Sequence, residues 1–573
     1  MKNRELANTF YEIADLLELE NVQWKPAAYR KAARGIENLT EDISDIYERE
    51  GTEGLKSITG IGSNICTHIV EYLKTGKIEK FEKLKKQSMS GASELIEIEG
   101  LGPKTIRKLH DELDIKSISD LRDAILKHKI QELEGMGEKT EQNLLEAIRN
   151  FEKSHERMQI DVAIETAEDV ISYLKEQNKP DIINYAGSLR RMKETIGDID
   201  VLAVTDNSEE LIESFVNMED IERIVSKGRT RSTVVLKNGV SVDIRVIKNE
   251  SYGSAMQYFT GSKQHNIELR NIALEKGYKL SEYGLFEKES GKKIEGRSEE
   301  RIYGTLGLAF IPPPLRENRS EFEAAKYDNV PDLIEVGDLR GDLHIHTDFS
   351  EGVDSIESMV SMAEEIGYDY IAITDHSRSR KVANGLSIDE LKDQWKQIDD
   401  LSGKYSIKIL KGSEVDILPD GNLDYPDNIL DKLDIVVGAI HSGFKYPESK
   451  MTRRIISAME SEHLNILAHP SGRLIGKREG YKADFDSVFE AAARNNKILE
   501  INSQPKRLDL NDSMIIRAKK TGVKFCINSD AHGSSQMEHV RYGTGQAKRG
   551  WLTADDVVNT YTYNKLMKTF DNS

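Results

Sequence analysis

Cysteine is nearly absent from this sequence of 573 residues: Cys66 and Cys526 stand alone and far apart. A disulfide framework is excluded, and a reducing compartment is the natural reading. Long apolar runs are missing too. None approaches the ~20 residues that a bilayer-crossing helix needs, and the N-terminus MKNRELANTFYEIADLL is charged and amphipathic without a signal-type stretch. A soluble, cytoplasmic protein with no membrane partner is expected. Positive charge is also in deficit, since 80 Lys and Arg against 99 Asp and Glu leave a net −19. That disfavours coating nucleic acid by bulk charge and leaves room for local recognition only. Length is not scarce: it exceeds the ~100 to 200 residues of one domain and predicts three or four folding units.

Residues 1–155 read as helices, with apolar positions at three- and four-residue spacing broken by glycine-bearing turns. From about 160 to 310 the pattern becomes period-two runs such as IDVLAVT and STVVLKNGVSVDIRVI, the second split by an Asn238-Gly239 hairpin turn. Pro312 to Pro314 and the polar stretch after them read as an extended connector and the main boundary. Beyond residue 338, seven short apolar runs (DLHIH, YIAITDH, IKILKGSEV, DIVVGAIH, NILAHP, ILEIN, KFCINSDAH) alternate with helical segments. That is a barrel-like α/β pattern.

The helical region repeats one phrase three times, as SITGIGSNICTHI, EIEGLGPKTIRKL and ELEGMGEKTEQNLL, with glycine pairs Gly60/Gly62, Gly100/Gly102 and Gly135/Gly137. Two glycines around an apolar residue let the backbone turn tightly and point amides outward at a helix start, where a phosphate is held without a basic patch. The phrase resembles helix-hairpin-helix motifs, which grip DNA backbones without reading sequence. A plain helix-turn-helix corner is the competing reading for any single copy; three in succession favour DNA.

In Gly197-Asp198-Ile199-Asp200 two aspartates one residue apart at a strand start share a face, while Ile199 and Val201 take the other. Asp243 in VSVDIRV stands opposite the apolar face of Val240, Val242, Ile244 and Val246, so three carboxylates can converge on metal ions. Upstream, Gly187-Ser188 and the cations Arg190 and Arg191 suit a triphosphate. The grouping reads as nucleotidyl transfer, against the alternative of a polar edge strand.

GSLRR followed by GDIDVL, together with SYGSAMQYFTGSKQHNIELRNIALEKGY, resembles family X DNA polymerases over most of residues 1–318. The resemblance implies that Asp198 and Asp200 hold two Mg2+ or Mn2+ ions and that Asp243 helps activate the primer 3′-hydroxyl. It places Ser188, Arg191, Gly197 and, by spacing in the altered context RMQID, Arg157 on the triphosphate. Tyr258, Phe259 and Gly261 match the segment against the incoming sugar, Asn266 a minor-groove contact and Arg270 a template-side contact. Lys25 and Tyr29 match a region that binds 5′-phosphates, with solvated helix surface as the competing reading. Two departures stand out. Met192 replaces the usual glycine after the arginine pair, and His68 takes the place of the lyase lysine, so a lyase activity is expected to be weak or absent.

Eight of the thirteen histidines lie beyond residue 340. Imidazoles and carboxylates gathered at barrel strand ends describe a multinuclear divalent site. HIH, TDH, GSE, IHSGF, AHP and SDAH resemble the polymerase and histidinol phosphatase (PHP) domain in order and spacing across 339–573. The resemblance implies a seven-stranded barrel in which His344, His346, Glu351, His376, Glu414, His441, His469, Asp530 and His532 hold up to three Mn2+, Zn2+ or Fe2+ ions, with Glu351 where aspartate is usual. His463 and His539, outside these motifs, read as structural. Lys506 and Arg507 in SQPKRLDL are candidates for touching the substrate backbone, or a simple surface loop.

The expected architecture is multidomain. A helix-hairpin-helix DNA-end-binding domain spans 1–88, and a helical subdomain with two further hairpins spans 89–156. An α+β nucleotidyltransferase palm covers 157–250, a nucleotide-selecting polymerase subdomain 251–316, a linker 317–338 and the distorted α/β PHP barrel 339–573. The expected function is a DNA-directed polymerase that fills short gaps in base-excision repair, joined to a manganese-dependent 3′–5′ exonuclease that extends to 3′-phosphates or abasic sites. Gapped or nicked DNA and dNTPs are the expected partners of a monomer that is nucleoid-associated when bound. The alternatives are a small-ester phosphatase tethered by DNA-binding modules and a non-enzymatic DNA-end scaffold.

Overall fold

A computed structural model describes residues 6–7, 9–11, 13–14, 17, 25–37, 39, 43–58, 60–75, 77–79, 81, 95, 98, 101–133, 135–155 and 157–570. Helical periodicity organises the N-terminal region. In the helix Lys25–Glu37, Tyr29, Ala32, Ala33 and Ile36 are buried, spaced so that they fall on one face. The helices Ile43–Ser57, Ser63–Thr75, Pro103–Leu113, Ile118–Leu126 and Glu138–His155 follow, and their apolar faces share one core. Gly60 and Gly135 lie in the turns with φ of 86° and 78°, left-handed backbone that costs other residues roughly 1–2 kcal/mol.

The period-two runs form a five-stranded sheet, in the order Ile182–Tyr185, Ile199–Val204, Ser241–Val246, Arg231–Leu236 and Ile221–Lys227. The helix Ile160–Asn178 contributes buried residues to the same core. The two aspartate-bearing strands are parallel neighbours, with Asp200 in register with Asp243. Asn238-Gly239 makes the expected hairpin: Gly239, at φ 81°, donates its N–H to the Leu236 carbonyl at 2.8 Å. The helices Tyr252–Thr260, Lys263–Glu275 and Glu299–Thr305 and a three-stranded sheet of Tyr278–Ser281, Gly284–Glu287 and Lys293–Glu295 come next.

The stretch expected as an extended connector and as a linker over 317–338 is folded instead. Pro313–Leu315 forms a single 3-10 turn and Glu321–Lys326 a short helix. Arg316 is fully buried and donates from Nη1 to Glu299 Oε1 at 2.6 Å, while buried Glu321 lies 2.9 Å from His265 Nδ1. A buried charge must be paired, and these partners come from other elements. Polar composition therefore mimics a solvated linker, although two of its charges, Arg316 and Glu321, have places inside.

The C-terminal part is a barrel of seven parallel strands paired in chain order: Gly341–Ile345, Tyr370–Ile373, Lys408–Asp416, Ile435–Ala439, Ile466–Leu467, Ile498–Asn502 and Phe525–Asn528. A bridge from Ile345 to Ala531 brings the first strand to the segment after the last. Alternate residues enter different cores, Tyr370 and Ala372 one and Ile371 and Ile373 the other. Strands buried on both faces read as continuous apolar runs. Among the described residues no helix is long and apolar enough to cross a membrane.

Candidate active sites

The palm site is built by backbone placement. Asp198 is exposed in the bend before Ile199–Val204, Asp200 lies half-buried within that strand, and Asp243 is its register partner on the next one. Burial drives the Asp200 carboxyl up to about 7, and the Asp198 and Asp243 charges add to it. Asp243 Oδ1 accepts from Thr233 Oγ1 at 2.8 Å and faces Arg231 Nε at 3.4 Å; Oδ2 has no hydrogen-bond partner among the described residues. Gly187, at φ 63°, is tied to this cluster, because a Cβ there would meet Asp200 Oδ2 at 2.3 Å. Only glycine lets the GSLRR turn cross so close to the carboxylate.

A cleft of about 580 Å3 runs along this edge, lined among others by Arg157, Gly187, Ser188, Arg191, Asp198 and Asp200. Tyr258, Phe259, Gly261, Asn266 and Arg270 form its far wall. Arg157 donates from Nε to Thr195 Oγ1 at 3.0 Å and stands against Gly197, so the altered context RMQID still delivers it to the cleft. Asn266 Nδ2 donates to the Tyr258 carbonyl at 2.7 Å, and Arg270 Nε to the Asn266 carbonyl at 3.2 Å. Tyr258 and Phe259 meet edge to face, with Arg245 at 4.5 Å over the Phe259 ring. The two neighbouring cations diverge, and Arg190 is not a cleft residue. Its guanidinium pairs with Glu299 at 2.5 Å and with Thr260 Oγ1 at 2.7 Å, because adjacent residues in the helical turn Gly187–Arg190 and its cap leave in different directions.

The hairpin glycines fall at helix starts. Gly62 and Gly102 precede Ser63–Thr75 and Pro103–Leu113, and Gly137 precedes Glu138–His155. A Cβ at Gly62, Gly102, Gly135 or Gly137 would meet nothing within 4 Å, so these turns face open space. At Gly60 it would meet the Lys31 backbone at 2.9 Å. Gly100 lies outside the described residues. Lys25 is exposed, whereas Tyr29 is buried with its hydroxyl 3.0 Å from His68 Nδ1 and the two rings stacked.

In the barrel the parallel strands deliver their C-terminal ends to one mouth, and all nine expected ligands meet there. Glu414 is the hub, its oxygens 2.7 Å from His376 Nδ1, 2.9 Å from His469 Nε2, 3.4 Å from His441 Nε2 and 3.5 Å from His346 Nε2. Asp530 Oδ1 is 3.2 Å from His346 Nε2 and 3.7 Å from His344 Nε2. Glu351 Oε1 joins His376 and His532 at 3.0 and 3.2 Å, so the longer carboxylate arm reaches the cluster. Burial opposes ionisation of Glu414, but His376, His441 and His344 outweigh it and hold the carboxyl well below its usual range. His463 sits instead by surface Asp431 and Asp427, and His539 against Tyr542.

The donor set suits divalent ions. Three groups have ligand atoms within 4.8 Å of one another: His346, His376 and His532; His344, His346 and Asp530; His376, Glu414 and His441. His346 Nδ1 is buried without a hydrogen bond among the described residues. Mixed imidazole and carboxylate ligands fit Zn, Mn or Fe. Sequence reasoning missed the residues that orient this set. Glu500 Oε1 lies 2.7 Å from His344 Nδ1, and its Oε2 accepts the His469 N–H at 2.7 Å. Asp416 Oδ1 lies 2.6 Å from His441 Nδ1. Their signal was present, a carboxylate inside the apolar strand ILEIN and another two residues after Glu414 on the same strand face. A pocket of about 240 Å3 opens above, with Arg380, Gln504, Lys506 and Arg507 in its wall. Tyr11 and Arg34 from the N-terminal helices also line it, Arg34 at 3.5 Å from Glu351.

Comparison with known families agrees with this layout. Helix-hairpin-helix domain families match residues 1–78 and 92–150, the DNA polymerase beta thumb matches 255–317 and the PHP domain matches 342–504. The chain is similar to the DNA polymerase/3′-5′ exonuclease PolX of Bacillus subtilis (strain 168), 38% identical over 98% of this chain and 97% of that protein. It is also similar to a probable phosphatase of Thermoanaerobacter sp. (strain X514), 32% identical over 38% of this chain and 89% of that protein. A probable phosphatase of Caldicellulosiruptor saccharolyticus is 28% identical over 34% of this chain and 80% of its own length. With both sites assembled and a relative matched almost end to end, the chain belongs to the family X DNA polymerases that carry a C-terminal PHP domain.

Proposed function

We propose that this chain fills short gaps in DNA by nucleotidyl transfer in the palm cleft and trims 3′ ends by phosphodiester hydrolysis in the barrel. The observation that carries the reading is the presence, in one chain, of a carboxylate-lined palm cleft and a second, histidine-rich metal-ligand cluster. In this reading Asp198, Asp200 and Asp243 hold Mg2+ or Mn2+, which neutralises charge on the attacking and leaving oxygens. Ser188, Arg191, Arg157 and Gly197 meet the triphosphate, Tyr258, Phe259 and Gly261 the sugar, Asn266 the minor groove and Arg270 the template. Asp243, fixed through Oδ1 by Thr233, lies beside the primer hydroxyl. Residues 1–156 hold the gap, with the glycine hairpins on backbone phosphates and Lys25 and Tyr29 near a 5′-phosphate. In the barrel, His344, His346, Glu351, His376, Glu414, His441, His469, Asp530 and His532 hold Mn2+, Zn2+ or Fe2+, and Lys506, Arg507 and Arg380 receive the phosphodiester. The small-ester reading leaves the palm cleft and the hairpins without a purpose.

The test uses a 5′-labelled primer across a one-nucleotide gap, with Mg2+ or Mn2+, with and without nucleotides. Wild type extends by one nucleotide and, without nucleotides, shortens the primer. Asp243→Ala loses extension alone and His344→Ala shortening alone. Absence of both products from the wild type on this substrate sinks the reading.

Gly187 supplies a sharper check on geometry. Gly187→Ala drives a methyl into Asp200 Oδ2, and misplacing a catalytic group by ~1 Å costs about 10²-fold. Extension falls by about that factor while trimming is unchanged. Wild-type extension in this variant would place the turn elsewhere.

A further inference from the structure

The barrel reaches back to the palm through the helix Val540–Arg549, which meets the loop after GSLRR. Met192 there has φ 55°, the left-handed backbone that explains why glycine is usual at this position. Gln546 Nε2 donates to the Met192 carbonyl at 3.0 Å, and Gly545 admits the Met192 side chain, since a Cβ at Gly545 would meet Met192 Cε at 2.6 Å. About one helical turn beyond Gly545, Arg549 is almost wholly buried. Its Nη1 donates at 2.9 Å both to the Arg191 carbonyl and to Glu317 Oε1, and its Nη2 donates to Asp512 at 2.6 Å.

Glu317 Oε1 is the same oxygen that accepts Arg191 Nε at 3.0 Å. Arg191 Nη1 donates to the Thr260 carbonyl, and Nη2 has no protein partner among the described residues. Two guanidiniums thus share one carboxylate oxygen, which keeps Glu317 from clasping Arg191 through both oxygens and leaves an edge of Arg191 in the cleft. Burial would raise the Glu317 carboxyl, but Arg549 first and Arg191 next hold it below its usual range, so the carboxylate stays charged between them.

We propose that Arg549 is a positioning residue for nucleotide transfer: a barrel-domain guanidinium, acting through Glu317 and the Arg191 carbonyl, fixes how Arg191 faces the incoming triphosphate. The inference rests on the reading of Arg191 as a triphosphate contact. Removing Arg549 frees Glu317 for a two-oxygen grip on Arg191, the favoured geometry of an Arg–carboxylate pair, and turns its open edge away from the cleft.

The test is steady-state gap filling by the full-length protein with Mg2+ and a single dNTP. Losing one charge-assisted hydrogen bond corresponds to about a tenfold change, so Arg549→Met raises KM for the nucleotide about tenfold with kcat within about twofold and 3′ trimming intact. Arg549→Lys, which keeps the charge on Glu317, gives an intermediate KM. Arg191→Ala raises KM by itself, and adding Arg549→Met to it changes nothing further, as expected when one residue acts through the other. An unchanged KM in Arg549→Met, or additive effects in the double variant, overturns the proposal while Arg191→Ala upholds its basis. An unchanged KM in Arg191→Ala removes the reading of Arg191 itself, and the proposal with it. If Arg549→Met loses trimming as well, misfolding is the cause and Arg549→Lys decides: a raised KM with trimming intact supports the proposal, and an unchanged KM overturns it.

Discussion

Asp200→Asn lowers one-nucleotide extension by at least about 10³-fold, since a metal clamp supplies several kcal/mol and each ~1.36 kcal/mol is a factor of ten. The same substitution stabilises the metal-free protein. In the folded chain the Asp200 carboxyl titrates at about 7 rather than 3.8 because it is buried beside Asp198 and Asp243. Between those two values the unfolded chain has released the proton and the folded chain has kept it, so folding stability falls as pH rises and levels off above about 7. The full penalty is at most about 4 kcal/mol, taking ~1.36 kcal/mol per pKa unit. Asparagine does not titrate. In EDTA the Tm advantage of Asp200→Asn over wild type therefore grows from pH 4 to 7 and then stays level; with Mg2+ the wild type recovers and the variant does not. A Tm difference that is flat with pH, or a magnesium response equal in both proteins, would mean that Asp200 does not belong to a crowded carboxylate cluster.

The order of chemistry along the chain was legible because it depends on local rules. Strand alternation placed Asp243 opposite Val242 and Ile244, and the structure keeps both valine and isoleucine buried with the aspartate on the other face. The barrel ligands were legible for a similar reason, since each follows or ends an apolar run and parallel strands deliver those ends to one mouth. What escaped depends on tertiary partners. Arg190 and Arg191 are identical in type and adjacent, yet one is drawn to Glu299, more than a hundred residues later, and the other to Glu317. The stretch after Pro314 looked solvated because its buried charges find partners outside it, Arg316 on Glu299 and Glu321 on His265, 17 and 56 residues earlier in the chain. Glu500 was passed over because a single carboxylate in an apolar strand has no local motif around it. Met192 stood out only as a departure, and the contact that holds its backbone comes from a helix some 350 residues downstream.

Glu414→Gln abolishes 3′ trimming and spares extension. Four imidazoles lie within 3.5 Å of the Glu414 carboxylate, and only an anion with two equivalent oxygens serves neighbours on both sides. Glutamine has the same shape but offers one acceptor, and it turns the other arm into a donor aimed at imidazole nitrogens. The site then loses a negative charge and a carboxylate that would hold metal, and trimming falls by at least about 10³-fold on the same ~1.36 kcal/mol per decade. Glu500→Gln acts one layer out. It loosens the grip on His344 Nδ1 and weakens that on the His469 N–H without removing a ligand, and loss of such orienting partners costs 10- to 100-fold in affinity or activity. Its trimming rate therefore falls by about that factor and recovers at higher Mn2+, whereas no concentration of Mn2+ rescues Glu414→Gln. Measured as shortening of the labelled primer against Mn2+ concentration, the two variants give a shifted curve and a flat one. If Glu414→Gln is rescued like Glu500→Gln, Glu414 is an orienting group and the hub of the site lies at Asp530.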